Sequence, residues 1–422
     1  MRCSARSSKP ELAPETSTET RYTYLAQEDG IWPTSRTPKP PPSYKRMPHT
    51  PFTVDAFKYG RIADCTGYFL THFHSDHYGG LTRSFAGHVY CSRITANLVR
   101  HRLGVGERHV HALPMHRRCL VHGVYGAALI LFEVPGETVR RIVHTGDFRA
   151  APLHVRQIAR VFATDLGRPV TPGMLGGEEA GRPSADYVYL DTTYLEPRYM
   201  FPPQSAVVAA VGELCCRIHQ HTRLPALRIT QCPRAHLFAV GTYTIGKEKL
   251  LVEIARRLNS QIYAAQDKRA LLKRMLVDRP GEALVHAVSM QSVNMKGMAE
   301  YLEKNSGIRP HCRVPAHWLD ASPGPLVAQP AHRRRCPRRA RQLHCSPPTR
   351  LEFSVESLAP HGSSDRVTVF PVPYSEHSSF SELAQFVCGV DAQHVIPTVI
   401  SSSDSNRAAL AWLSHWGSRG LE

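Results

Sequence analysis

Between Thr71 and Tyr78 the chain reads Thr-His-Phe-His-Ser-Asp-His-Tyr, which places three imidazoles and one carboxylate within six positions. Imidazole together with carboxylate suits zinc or a similar first-row divalent ion. The order H-x-H-x-D-H lets alternate side chains face two neighbouring ions, His72 and His74 serving one and Asp76 and His77 the other. A single histidine in a polar loop usually carries no chemistry. Four ligand-type residues at this spacing, directly after the apolar run Gly67-Tyr68-Phe69-Leu70, point instead to a metal site on a loop leaving a strand.

The signature is similar to that of the metallo-β-lactamase fold. With Phe52-Thr53-Val54-Asp55-Ala56-Phe57 before it and His144-Thr145-Gly146-Asp147-Phe148-Arg149 after it, the chain resembles the DNA cross-link repair nucleases of the β-CASP group. These are the relatives of Artemis and Apollo, and the resemblance is strongest to the cross-link repair 5′ exonucleases. It runs, with gaps, from Pro51 to Trp416. The resemblance implies that Asp147 bridges two metals, that His377 in Pro373-Tyr374-Ser375-Glu376-His377 completes the second, and that Asp55 supports the site from behind. It further implies catalytic roles for Asp76, Asp147, Asp191 and His286. Thr242, Lys247, Ser375 and Ser378 are the implied contacts to substrate phosphate, and the implied cofactor is two zinc ions, with magnesium or manganese as the alternative at one site. Taken without the resemblance, several of these residues have plainer readings. Asp147 would cap a turn, Lys247 and Glu248 would be the charged first turn of a solvated helix, and His377 would be a loop histidine among serines. The string Gly241-Thr242-Tyr243-Thr244-Ile245-Gly246-Lys247-Glu248 precedes a helical pattern, an arrangement able to offer backbone N–H groups and one ammonium to a phosphate.

Positioning such residues takes strands with helices on their outer faces. From Phe52 onward short apolar runs alternate with helical patterns, as at His88 to Cys91, Ala128 to Val134, Val139 to His144 and Tyr187 to Leu190. The expected fold is α/β, and the resemblance implies a metallo-β-lactamase-type αββα sandwich with an inserted β-CASP α/β cap. Residues 1–48, rich in Pro, Ser and Thr, read as a flexible lead-in. Residues 49–200 form the first part of the sandwich, 201–320 the cap, 321–350 a basic low-complexity insertion and 351–422 the return to the sandwich. Leu166 to Pro183 reads as an exposed Gly/Pro-rich insertion.

The formal charge of +17 favours a polyanionic partner, because Lys and Arg displace counterions from phosphates. DNA with a 5′-phosphorylated end, single-stranded or end-bearing, is the expected substrate. The basic run His332 to Arg341 reads as a nuclear import signal in preference to a DNA strip, since it lacks interleaved aromatics. No apolar stretch reaches membrane-spanning length, and the N-terminus opens no signal-peptide core. The eleven cysteines contain no C-x-x-C pair and fit reduced thiols. The expected location is the nucleus, with no membrane partner.

Two departures from the family pattern stand out. The usual Pro-Thr-Gly-Trp reads Pro315-Ala316-His317-Trp318 here. More seriously, Val121-His122-Gly123-Val124 runs straight into Tyr125-Gly126-Ala127-Ala128, where relatives carry a strand and a D-A-x-H-C-P-G-A motif whose His is the third imidazole of the first metal. About ten residues are missing, roughly 33 Å of extended chain. Their loss is expected to leave neighbouring strands with unpaired backbone groups and an open core. His116, His122 and His144 lie nearby in sequence, but none stands in the required strand-to-loop context. Besides the exonuclease, two further readings follow: an RNA-processing endonuclease of the same superfamily, and a catalytically impaired DNA-binding relative.

Overall fold

The computed structural model describes residues 21–22, 40–115, 119–122, 124–127, 130–163, 183–220, 236–264, 268, 276–277, 280–305, 316–320, 352–364, 367–399 and 403–417. Among these residues the strands form three sheets. In the first, Phe52–Val54, Gly67–Phe69, Val89–Ser92 and Val110–Leu113 pair in parallel, each with its sequence neighbour. The first two strands are buried at every position, as expected of a parallel sheet covered on both faces. The second sheet runs in the order Arg21–Tyr22, Cys119–Val121, Val124–Ala127, Leu131–Val134, Arg140–His144, Ser184–Leu190 and Asp391–Pro397.

These two sheets pack face to face. Phe52, Phe69 and Tyr90 of one meet Phe132, Ile142 and Tyr189 of the other, with the Phe69 and Phe132 rings edge to face at 4.9 Å. Such pairs contribute about 0.5–1.5 kcal/mol beyond the area they bury. Helices close both outer faces. Arg93–Leu98 lays Ala96 and Leu98 on the first sheet beside Val89 and Val110. Pro152–Ala163, Phe380–Gly389 and Ser403–Gly417 bring Ile158, Phe162, Leu383, Val387 and Trp416 against Val143 and Val188 of the second. The order is helix, sheet, sheet, helix.

The third sheet, in the order Leu276–Val277, Ile262–Ala264, Val285–Ser289, Leu237–Thr242, Ala316–Asp320, Val367–Pro371 and Gly362–Ser363, is a separate layer system. Helices Gln204–His219 and Glu248–Arg257 bury Val207, Val211, Leu250 and Ile254 against Phe238, Val240 and Val285. Met295–Lys304 covers the opposite face through Met298 and Leu302.

Three expectations are corrected. First, the shortened segment leaves no gap in the second sheet. Val124–Ala127 pairs antiparallel with both Cys119–Val121 and Leu131–Val134, and Val121 stands opposite Val124 across a turn in which His122 takes a φ of 46°. Second, the lead-in is anchored before residue 48. Ser43–Lys45 form a 3-10 turn, Arg46 bridges Thr53, and Met47 is 2% exposed within the inter-sheet core. Third, the return to the sandwich does not begin at 351. Val367–Pro371 pairs in parallel with Ala316–Asp320 in the third sheet, and the sandwich is rejoined only by Phe380–Gly389 and Asp391–Pro397. The expected insertion at Leu166 to Pro183 falls outside the described residues except for Pro183, and the basic segment 321–350 lies wholly outside them.

Candidate metal centre

The candidate ligands come from loops at the ends of strands. Thr71 to His77 follow Gly67–Phe69, Asp147 follows Arg140–His144, Asp191 directly follows Ser184–Leu190, and Asp55 directly follows Phe52–Val54. Asp55 has a φ of 52°, a left-handed conformation that Asp tolerates better than bulkier residues. Gly146, with a φ of 56°, is needed where it stands because an added Cβ would meet Thr71 Cβ at 3.0 Å. The His377 loop leaves the third sheet. It is fixed to the sandwich by Arg149, which donates to Glu382 Oε1 at 2.9 Å, to the Ser375 carbonyl at 3.1 Å and to the Pro202 carbonyl at 2.8 Å.

Asp147 is the hub. Its Oδ2 lies 3.5 Å from His72 Nε2, 3.3 Å from His77 Nε2 and 3.8 Å from His377 Nε2. His72 Nε2 and His74 Nδ1 approach to 2.7 Å, and ligand atoms of His72, His74 and Asp147 lie within 4.8 Å of one another. Asp76 Oδ2 stands 3.5 Å from His77 Nε2, with its side chain exposed to the cleft. Behind these atoms stands a layer of carboxylates. Asp55 Oδ2 accepts from His77 Nδ1 at 2.7 Å, and Asp191 Oδ2 accepts from His377 Nδ1 at 2.7 Å. Each imidazole therefore carries a proton on Nδ1 and turns Nε2 toward Asp147, the usual arrangement by which outer carboxylates fix metal-binding histidines. Asp191 is 1% exposed, and ligand atoms of Asp147, Asp191 and His377 lie within 4.8 Å of one another, a second group able to hold a metal ion.

The electrostatics suit a cation. Burial alone would raise the pKa of Asp147, yet the His77 hydrogen bond and the charges of His77, His72 and His377 hold it well below the usual carboxylate range. Burial would lower that of His77, but hydrogen bonds to Asp147 and Asp55 push it up to about 10. His72 is lowered to about 4, chiefly by burial and then by the neighbouring His77 charge. Clustered acceptors, with two imidazoles in hydrogen-bond contact and two more aimed at one carboxylate oxygen, form a donor set that fits a divalent cation.

Around these residues opens a cleft of about 680 Å3, lined by Tyr44, Lys45, Phe73, Tyr78, Tyr243 and Thr398 among others. Thr242, Lys247, Ser375 and Ser378, the residues expected to hold substrate phosphate, all make hydrogen bonds within the protein. Thr242 is buried and donates to the Val288 carbonyl at 3.2 Å. Ser375 accepts from the His377 amide at 2.9 Å, and Ser378 accepts from the Ala150 amide at 2.8 Å while donating to the Phe148 carbonyl at 2.7 Å. Both serines shape the His377 loop. Lys247 is 6% exposed, with its ammonium 3.1 Å from Met290 Sδ and its amide donating to Glu376 Oε1 at 2.9 Å. His286 is likewise set apart. It sits fully buried in the third sheet, with Nδ1 2.8 Å from the Tyr301 hydroxyl and Nε2 3.0 Å from the Pro280 carbonyl, and it does not line the cleft.

Three contributors escaped sequence reading. Lys45 lines the cleft from a stretch whose composition suggested a tail. Thr71 lies 3.0 Å from His72 Nδ1 and donates to Asp55 Oδ2 at 2.8 Å. The Ile245 carbonyl stands 3.4 Å from His74 Nε2. The first could have been suspected from a Ser-Tyr-Lys placed just ahead of the first strand, while the other two leave no signal in residue type.

Of the histidines near this segment, neither His122 nor His144 joins the group of His72, His74 and Asp147. His144 is nearest in character, since it is buried and lines the cleft. Its Nδ1 accepts from the Gly146 amide at 3.1 Å, which leaves the proton on Nε2, and burial lowers its pKa to about 4. His122 Nε2 contacts the Tyr90 hydroxyl at 3.0 Å, and His116 lies outside the described residues.

Residues 270–403 match the family model described as DNA repair metallo-beta-lactamase. The chain is 35% identical over 408 residues to the DNA cross-link repair protein pso2/snm1 of Schizosaccharomyces pombe, covering 90% of this chain and 65% of that protein. It is 34% identical over 389 residues to the human DNA cross-link repair 1A protein, covering 87% of this chain and 31% of the relative. It is 31% identical over 396 residues to the DNA cross-link repair protein SNM1 of Arabidopsis thaliana, covering 88% of this chain and 68% of the relative. The fold is that of a metallo-β-lactamase, and the chain belongs to the DNA cross-link repair family within it. That family implies use of a divalent metal, and the His and Asp groups described above are able to hold one. The chain spans about two thirds of the fission yeast relative and about one third of the human one.

Proposed function

We propose that this chain is a metal-dependent 5′-to-3′ DNA exonuclease that hydrolyses phosphodiester bonds during repair of interstrand cross-links and double-strand breaks in the nucleus. The observation that carries the reading is Asp147 Oδ2, which lies within 4 Å of three imidazole Nε2 atoms from two separate loops. His72, His74 and Asp147 would hold one ion, and Asp76, His77, Asp147 and His377 a second, with zinc favoured by the donor set. When bound, a divalent metal lowers the pKa of water and neutralises charge on the phosphoryl oxygens. The chain's own residues prepare that chemistry. Asp55 and Asp191 keep Nδ1 of His77 and His377 protonated, and so present the opposite nitrogens. Lys45 lines the cleft where a substrate phosphate would lie, and adds a second ammonium to that of Lys247 beside Tyr243. The third sheet with its helices, read as the β-CASP cap, supplies the opposite wall through Tyr243 and Thr244. The names of the relatives, the net charge of +17 and the basic run at 332–341 support DNA as the substrate and the nucleus as the location.

A second reading has its own observation. Because His144 holds its proton on Nε2, the first ion would have, among the described residues, His72, His74 and Asp147 as its protein ligands. Three protein ligands suffice for catalytic zinc in other folds, so this reading is of a weakened enzyme. The test uses matched DNA and RNA strands, with and without a 5′-phosphate, together with bound metal measured per chain. Digestion of DNA from the phosphorylated 5′ end supports the proposal. Internal cleavage of RNA, or equal loss of 5′-hydroxyl strands, rejects it. Metal uptake with DNA binding but no digestion supports the impaired relative.

A further inference from the structure

The loop after strand Leu237–Thr242 crosses from the third sheet to the metal centre, and it is held there from below. Lys268, its side chain 5% exposed, donates to the Tyr243 carbonyl at 3.0 Å and the Gly246 carbonyl at 2.6 Å, and its ammonium lies 2.9 Å from Glu248 Oε1. Ile245 packs against the core beneath the first sheet, and its carbonyl meets His74 Nε2. Gly241 admits the neighbouring layer, since a Cβ there would meet Val293 Cγ2 at 2.4 Å. The carbonyls of Tyr243, Ile245 and Gly246 and the amide of Lys247 are held, yet the Tyr243 side chain is 57% exposed and lines the cleft. Its ring centroid is 6.1 Å from that of His74, and the Lys247 ammonium stands 5.1 Å from the ring centroid. Neither the core nor a hydrogen bond of its own accounts for an aromatic ring held in water at this spot.

We propose that Tyr243 is a stacking platform for the nucleobase of the nucleotide whose phosphate sits at the imidazoles, a subsite that takes any base. The inference rests on the nuclease reading above. A base offers a π face whatever its identity, so an aromatic platform grips a strand without reading its sequence. A ring already fixed by its backbone loses little freedom on binding. The Lys247 ammonium adds positive charge beside the ring, which favours an anionic, base-bearing ligand over a small neutral one.

The test is made without turnover, on the full chain in chelator. The probe is a 5′-phosphorylated single strand carrying 2-aminopurine as its first base, with a second strand abasic at that position. Wild type should quench the fluorophore on binding and should bind the abasic strand roughly 5- to 100-fold more weakly. Tyr243→Ala should lose the quenching and bind both strands alike, and Tyr243→Trp should restore the preference for the base. Equal wild-type affinity for the two strands overturns the platform with no variant needed, while DNA binding itself leaves the nuclease reading standing. Failure of wild type to bind either strand overturns the platform, while the nuclease reading stands or falls on digestion with metal present.

Discussion

Replacing Asp55 by Asn should strip a metal from a chain that still folds, and hydrogen-bond geometry dictates how. Asp55 Oδ1 accepts from the Thr71 backbone amide at 2.9 Å, while Oδ2 accepts from the Thr71 hydroxyl at 2.8 Å and from His77 Nδ1 at 2.7 Å. A backbone N–H is a fixed donor, so the Asn amide oxygen must take the Oδ1 position and its NH2 the Oδ2 position. The Thr71 hydroxyl can rotate to accept. His77 can adapt only by accepting at Nδ1, which moves its proton to Nε2, the atom that faces Asp147 and Asp76. Every polar group stays paired, so the folding cost is small, about 1 kcal/mol for exchanging a charged bond for a neutral one. Metal affinity falls by roughly 10- to 100-fold, the usual effect of losing a carboxylate behind a ligand. The assay is metal per chain by mass spectrometry after dialysis against buffered zinc, with melting of the metal-free proteins as the control for folding. Asp55→Asn with unchanged metal affinity would refute the tautomer argument and the assignment of His77.

Asp191→Asn should be harsher, because both oxygens face fixed donors, the Thr193 amide at 3.1 Å and the Phe148 amide at 3.3 Å. One of them must lose its acceptor, so the metal-free variant should lose about 1–3 kcal/mol by chemical denaturation, and an unchanged midpoint rejects this. Asp76→Ala should leave melting of the metal-free protein within error, as its side chain is 78% exposed, yet remove metal and nuclease activity. Retained activity with normal metal content removes Asp76 from the site. For His286, burial lowers the pKa to about 4 from 6.5, so the unfolded chain takes up the proton more readily. Its contribution to stability is complete above pH 6.5 and is lost as pH falls toward 4, by about 3 kcal/mol in all. Metal-free His286→Asn should therefore show a shallower fall in melting temperature between pH 7 and pH 5 than wild type, and parallel falls reject the argument.

The signature loop was legible because its chemistry is local. His72, His74, Asp76 and His77 lie on one turn, and no distant contact is needed to bring them together. The strands around them were legible for a related reason: runs such as Gly67–Phe69 are buried on both faces and read as unbroken apolar text. The phosphate contacts were less legible, because a hydroxyl in sequence does not show which way it faces. Ser375 and Ser378 look like ligand-binding serines, yet their oxygens are consumed in folding the loop that aims His377. The return boundary failed for another reason. Val367–Pro371 is an apolar strand that either sheet could accept, and only its pairing with Ala316–Asp320 assigns it to the third. Lys45 was hidden by composition, since a few ordered residues at the end of a Pro-rich stretch do not change its statistics.

The shortened segment separates two properties that usually travel together. Strand pairing is forgiving, because any residue with an N–H and a carbonyl can fill a ladder. Val121 stands opposite Val124, and His122 adopts the positive φ that tight hairpins favour. A metal site is not forgiving, because it requires one nitrogen lone pair at one place. The sheet is thus paired on both sides of Val124–Ala127 while, among the described residues, His72, His74 and Asp147 form one ligand group without a third imidazole. Restoring a D-A-x-H-C-P-type segment after Val124 should thus change melting of the metal-free protein little and raise metal uptake strongly. If both rise together, the sheet was also incomplete. If neither changes, another residue already supplies the ligand.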